Sequence, residues 1–316
     1  PVCITHGKCS VVYDENNKKY IDFGTGIAVN SFGVSDEVWK NAVIDQLNKI
    51  QHTSNLYYNE PCAKLAEMLC EKTGMKKVFF SNSGAEANEC AIKAARRYAY
   101  NKYGDGHSTI ITLKNSFHGR TITTLSATGQ EHYHKEFTPF TEGFVYAEPN
   151  NFDDIKKLSK ENKCIAVMIE IVQGEGGVCP LDKEYVQQIR EFTEKNDMLM
   201  IVDEVQTGNG RSGQLYAYMN CDVVPDIVTT AKGLAGGLPL GAVLFGEKVK
   251  DIYTPGTHGS TFGGNPVCSA AAISILDRID EELLKEVRAK SDFIFKELIG
   301  ADGVEDVSGM GLMIGI

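Results

Sequence analysis

The sequence predicts an α/β fold, a mostly parallel sheet flanked by helices. Three observations carry this. Short runs of apolar, strand-forming residues recur at Val78-Phe79-Phe80, Thr109–Leu113, Ile165–Ile169, Met198–Val202 and Ile227–Thr230. Stretches with helical spacing alternate with them, over 85–102 and 183–195. The runs do not alternate apolar with polar residues, as strands buried on both faces do not.

Taken in order, residues 11–23 read as a hairpin, two β-rich runs around a polar Asn16-Asn17 turn. Val38, Trp39, Ala42, Val43, Leu47 and Ile50 have helical spacing over 36–50. Pro61 opens a second helix with Leu65, Met68 and Leu69 on one face. In the helix over 85–102, Ala87, Ala91, Ala94, Ala95 and Tyr98 point inward. Residues 266–300 form one or two helices leading away from the sheet. The last residues, Gly311 to Ile316, read as the middle of a strand, and Pro1 is not an initiator Met, so neither end reads as a natural one. The expected organisation is an N-terminal segment over 1–40, a large domain over 41–265, and connecting helices over 266–316. The last stretch begins a smaller α+β domain that is incomplete in this chain.

At 316 residues the chain is long enough to bury a large core. Its 42% hydrophobic and 23% charged residues exclude disordered and fibrous classes. Lys and Arg number 32 against 42 Asp and Glu, giving −10. That balance argues against sequence-independent nucleic-acid or anionic-membrane binding. No apolar run is long enough to span a bilayer, and Pro1 to His6 is not a signal peptide. Nine scattered cysteines without a CxxC pair read as reduced thiols and a cytoplasmic location. His132 and His134 lack a third ligand at metal spacing, and no metal is expected.

In a parallel sheet, ligands sit beyond the carboxyl ends of the strands. After Val78–Phe80 comes Ser81-Asn82-Ser83-Gly84-Ala85-Glu86, small residues opening a helix whose amides can cradle a phosphate; an ordinary Ser-capped helix is the alternative. After Thr109–Leu113 come Phe117 and Arg120, a stacking face and a carboxylate fork, or else a buried Phe and a solvated Arg. Glu170 to Gly177 offers two carboxylates and Gln173 on a Gly-rich turn. Asp203-Glu204 closes a buried strand, where an unpaired carboxylate is costly, so the pair points to function. Gly208 to Gly213 spells GxGxxG, but it neither follows its strand directly nor opens a strong helix, which disfavours a dinucleotide site. Lys232 stands alone among small and apolar residues after Ile227–Thr230, a candidate Schiff-base amine. Ser260 and Thr261 precede the exit helix and offer hydroxyls.

A phosphate cup, an aromatic plate, an isolated acid and an isolated lysine are what a pyridoxal phosphate enzyme requires. With these motifs in this order, the sequence resembles the class III aminotransferases of the fold-type I pyridoxal phosphate enzymes, over essentially the whole chain from Gly24 to Leu312. The resemblance implies these roles. Ser83, Gly84 and Ala85 belong to the phosphate cup. Phe117 and Val205 cover the two ring faces, Asp203 meets the pyridinium nitrogen, and Gln206 meets the ring hydroxyl. Lys232 bonds the cofactor aldehyde and moves the proton. Thr261 reaches the phosphate of a neighbouring subunit, making a homodimer with shared sites. Ser260 lies against substrate, Arg120 clamps a substrate carboxylate, and Glu175 masks a second Arg. That second Arg lies further along the family's carboxyl-terminal domain and has no counterpart up to residue 316. The implied reaction moves the terminal amine of N2-acetylornithine to 2-oxoglutarate, giving glutamate. Ornithine, 4-aminobutyrate and succinyldiaminopimelate are alternative donors. An inactive cofactor-binding fragment and a nicotinamide dehydrogenase are the other readings.

Overall fold

The computed structural model describes all 316 residues. It opens with an antiparallel sheet of β1 (Ile4–Lys8), β2 (Val11–Asp14) and β3 (Lys19–Ile21). The β2–β3 hairpin is the one predicted, and Asp14 closes its turn by accepting from the Asn16 and Lys18 backbone N–H groups, each at 2.9 Å. β1 carries no apolar pattern because its residues are mostly exposed. A short turn, α1 (Thr25–Ala28), leads to α2 (Glu37–Leu47) and α3 (Glu60–Thr73). Asp36 caps α2 by accepting from Trp39 N–H, and Asn59 caps α3 by accepting from Cys62 N–H, with Pro61 in its first turn.

The large sheet follows. Its elements in chain order are β4 (Lys77–Ser81), α4 (Gly84–Tyr103), β5 (Thr109–Leu113), α5 (Ile122–Ala127), α6 (Glu131–His134), β6 (Phe144–Ala147), α7 (Phe152–Glu161) and β7 (Cys164–Ile169). A small hairpin of β8 (Val172–Gln173) and β9 (Cys179–Pro180) interrupts before α8 (Lys183–Lys195), β10 (Leu199–Asp203), β11 (Ile227–Thr230) and β12 (Gly241–Phe245). The seven strands are ordered β4-β12-β11-β10-β7-β5-β6. Six run parallel, while β12 is antiparallel to both neighbours, β11 and β4. The chain ends with α9 (Pro266–Leu276), α10 (Glu281–Leu298) and the pair β13 (Ser308–Met310) and β14 (Met313–Gly315). α9 packs against α2 and α3.

Strand alternation divides the core. Leu199 and Ile201 of β10 join Ala87, Ala91 and Ala95 of α4 on one face. Met200 and Val202 join Val186 and Ile189 of α8 on the other. The alanine stripe lets α4 lie close against the sheet. The same two-residue period turns Asp203, next after Ile201, toward α4. This fixes which side of the sheet holds the site.

Candidate active site

The carboxyl ends of the parallel strands and the start of β12 enclose a cavity of about 400 Å³. Ser83, Gly84, Ala85, Phe117, Arg120, Asp203, Val205, Gln206 and Lys232 line it, all anticipated from sequence. Glu175, Ser260 and Thr261 do not. Glu175 lies outside the lining, but its Oε1 accepts from Gln206 Nε2 at 3.4 Å. Ser260 Oγ accepts from Asn82 Nδ2 at 3.1 Å, beside the cup. Thr261 is exposed, next to Phe262, which is 61% exposed.

At the cup, Ser83 caps α4 by accepting from Glu86 N–H at 3.2 Å. The following amides open a 20-residue helix, an anion-attracting end. Gly84 leaves no room for a side chain: a Cβ there would stand 2.7 Å from Val205 Cγ1. Val205 can therefore close over the helix start only because residue 84 is glycine.

At the floor, Asp203 is buried and its carboxylate is fixed from three directions. Asn88 Nδ2 donates to Oδ2 at 2.7 Å, His118 Nδ1 bonds Oδ2 at 2.9 Å, and Val205 N–H donates to Oδ1 at 3.0 Å. Asn88 in turn donates to the His118 carbonyl at 2.8 Å and accepts from Thr229 Oγ1 at 2.7 Å. The amide of Asn88 thus links α4, β11 and the loop after β5. Burial favours a neutral His118, but the hydrogen bond and charge of Asp203, with Glu170 beyond, raise its pKa above the usual histidine value. Glu170 is buried too, accepts from Phe117 N–H at 2.9 Å, and is pushed up by burial against the pull of His118. Asp203 and His118 form a buried hydrogen-bonded pair at the cavity floor, and Glu170 acts on the imidazole through its charge without bonding it.

Lys232 follows β11 with φ of +45°, a conformation uncommon for a residue with a side chain. Asn209 holds that turn, donating from Nδ2 to Thr230 Oγ1 and to the Ala231 carbonyl, each at 3.2 Å. Burial lowers the Lys232 pKa, opposed by Asp203, Glu175 and Glu170. A neutral amine is thereby brought nearer to neutral pH. Arg120 lies 5.2 Å from the Phe117 ring centre and 4.3 Å from that of Tyr133, with no carboxylate partner. It is held in place by rings, with its charge uncompensated.

Two motifs resolve differently from one another. The Asp203-Glu204 pair divides: Asp203 faces the cavity, whereas Glu204 is fully buried beneath it and is structural. Glu204 accepts from Ala217 and Tyr218 N–H at 2.9 and 2.8 Å and from Thr207 Oγ1 at 2.5 Å. The GxGxxG stretch is a series of turns with no helix opening inside it, and its Asn209 serves the lysine. Asn88, His118, Glu170 and Tyr133 went unassigned in the sequence. Asn88 leaves a signal there as a polar residue in the stripe of Ala87, Ala91 and Ala95, and Glu170 as a carboxylate directly after a buried strand, but neither points to its partner.

The residues present fit pyridoxal phosphate. An amide-lined helix end suits its phosphate, a fixed acid its ring nitrogen, and a desolvated lysine its aldehyde. The family model described as aminotransferase class-III matches residues 1–316. An acetylornithine aminotransferase of Haemophilus ducreyi is 51% identical over 315 residues, covering 100% of this chain and 80% of that protein. A succinylornithine transaminase of Salmonella paratyphi B is 44% identical, covering 100% of this chain and 78% of that one. Among solved structures, an ornithine aminotransferase from Toxoplasma gondii superposes with a TM-score of 0.92 at 34% identity, over 98% of this chain and 76% of that one. An N-acetylornithine aminotransferase from Stenotrophomonas maltophilia gives 0.85 at 35% identity, over 99% and 79%. The chain belongs to the class III aminotransferases, transaminases that work with pyridoxal 5′-phosphate.

Proposed function

We propose that this enzyme reversibly transfers the terminal amine of N2-acetyl-L-ornithine to 2-oxoglutarate, giving N-acetylglutamate 5-semialdehyde and L-glutamate, a step of arginine biosynthesis. The observation that carries the reading is 51% identity to an acetylornithine aminotransferase along the whole chain. When bound, pyridoxal phosphate supplies an aldehyde that carries the amine and a ring that accepts the electron pair freed during transfer.

The chain's own residues do the rest. The amides at Gly84 and Ala85 hold the phosphate, with Ser83 shaping the turn. Phe117 and Val205 enclose the ring. Asp203, fixed by Asn88 and His118, keeps a proton on the ring nitrogen, and Gln206 orients the ring hydroxyl. Lys232 Nζ would anchor the cofactor's aldehyde and, once the incoming donor amine displaces it as a free amine, would be the base that takes the proton from the donor's amine-bearing carbon. Arg120, free of any carboxylate, receives one from the substrate. Ser260 borders the substrate, and Glu175 screens a cation in one half-reaction.

Thr261 serves the cofactor of a second copy in a homodimer. Its exposure supports this, as does the apolar surface offered by Phe23, Leu56, Tyr57, Tyr58 and Phe262. A cytoplasmic location fits nine unpaired thiols.

The 44% identity to a succinylornithine transaminase favours N2-succinylornithine as a second donor. The test is kcat/KM on acetylornithine, succinylornithine, ornithine, 4-aminobutyrate and succinyldiaminopimelate with 2-oxoglutarate as acceptor. The expected order puts acetylornithine first. Any other donor in first place overturns the proposal.

A further inference from the structure

A second cavity, of about 390 Å³, lies on the outer side of α4, against the loop 104–108 and the segment bearing Tyr253 and Thr257. Lys93, Arg96 and Arg97 line it from one face of the helix, spaced i, i+3 and i+4, and His107 joins them from the loop. Asp105 is its only carboxylate. Arg190, Arg278 and Arg288 each hold a carboxylate elsewhere in the chain, whereas none of these three cations does. Three buried nitrogens at this one cavity have no hydrogen-bond partner: Nε of Arg96, Nε of Arg97 and Nδ1 of His107.

What contacts exist leave the charge in place. Arg96 Nη2 donates to the Glu142 carbonyl at 2.5 Å, which neutralises nothing. Lys93 Nζ lies 2.8 Å from His258 Nδ1; burial and the Lys93 charge hold His258 below its usual pKa, so the neutral ring accepts and the ammonium keeps its charge. Glu89, one turn back on α4, is engaged by Thr121 Oγ1 at 2.7 Å. Glu89 acts on Arg96 by its charge, but no carboxylate contacts either guanidinium. Partly desolvated guanidinium groups without a contacting carboxylate are unfavourable, and an anion relieves that.

We propose that this cavity is a second ligand site, for a small anion bearing two or more negative charges, phosphoryl or polycarboxylate. Two guanidinium forks and an ammonium within one helical turn match the oxygens of such a group. The location in a chain of net charge −10 makes the cationic cluster a local feature and not the edge of a basic surface.

The test uses the cofactor-loaded enzyme, so that the phosphate cup is already filled. Isothermal titration with inorganic phosphate is expected to give saturable binding of one ion per chain, weakening as sodium chloride rises. Arg97→Gln and Arg96→Gln should each weaken it at least about tenfold, the loss of one charge-assisted fork. Lys93→Gln, at an exposed position, provides a variant whose fold is not at risk, and should weaken it severalfold. A parallel titration with citrate separates the sources: tighter phosphate assigns a phosphoryl ligand, tighter citrate a polycarboxylate. Absence of saturable binding, as when a second copy covers the cavity, overturns the proposal. So does binding that all three variants leave unchanged.

Discussion

Asp203 has acceptor capacity for about four hydrogen bonds and receives three within the chain. One position remains for the proton that this site must hold on the cofactor. The carboxylate cannot turn away, because Asn88 and His118 both grip Oδ2 while the Val205 amide grips Oδ1. Asn88→Ala removes one donor to Asp203, the donor to the His118 carbonyl and the acceptor of Thr229 Oγ1, three buried polar contacts. The expected loss is about 1–3 kcal/mol of stability for each group left unpaired. At the same time kcat should fall more than cofactor occupancy, because Asp203 keeps its charge but loses its aim. Urea unfolding and kcat measured at saturating cofactor check both. Unchanged kcat with lowered stability would make Asn88 merely structural. None of this clamp was readable from the motif around Asp203. Its partners come from β11, from α4 and from the loop after β5, and only the fold brings positions 88, 118, 203 and 229 together. The motif residues themselves, Gly84, Asp203 and Lys232, were readable because each breaks the local pattern of a strand end.

Among the elements, β12 decides the shape of the cup. It runs against its neighbours, so its first residue, Gly241, lies at the same edge as the last residues of the parallel strands. Gly241 pairs with Ser81, and a Cβ at 241 would stand 2.4 Å from the Ser83 carbonyl oxygen, the backbone that begins α4. Gly241→Ala must therefore push the cup open. A cost of about 1–3 kcal/mol is expected from the overpacking, together with faster loss of cofactor on dialysis. Retention equal to that of the unaltered enzyme would show that the cup adapts. The strands β5, β7, β10 and β11 and the helix α8 stood out in the sequence because continuous apolar runs and helical spacing leave little choice. β12 did not, since Gly241 to Phe245 merges with the apolar stretch around Lys232 and gives no period of its own. β6 hides for a different reason: at the sheet edge, its residues 144–146 are only half buried and present no apolar run.

For the whole molecule, charge and symmetry each lead to an expectation. Burial raises Glu204 to about 7 from the usual 4.5. Between those values the folded chain keeps a proton that the unfolded chain has released. Stability from this group is thus fully present below about 4.5 and falls as pH rises toward 7. Glu170 and His118, both shifted upward, act in the same direction. The urea midpoint should decline from pH 5 to pH 7.5, and a rising midpoint would contradict the buried protonated acids. The proposed homodimer is tested by mixing Lys232→Ala with Thr261→Glu chains, each inactive alone. If Thr261 acts across the interface, hybrids regain one intact site, about a quarter of full activity under random pairing. No recovery would place Thr261 in its own subunit's site. The sheet order also fixes a timetable for synthesis. β4 lies at one edge, and its only partner is β12, so Ser81 must wait for Gly241 to leave the ribosome. At ordinary elongation rates that interval is on the order of ten seconds. During it Val78, Phe79 and Phe80 form an unpaired apolar strand on a chain that already holds most of its helices, a stretch suited to capture by a chaperone.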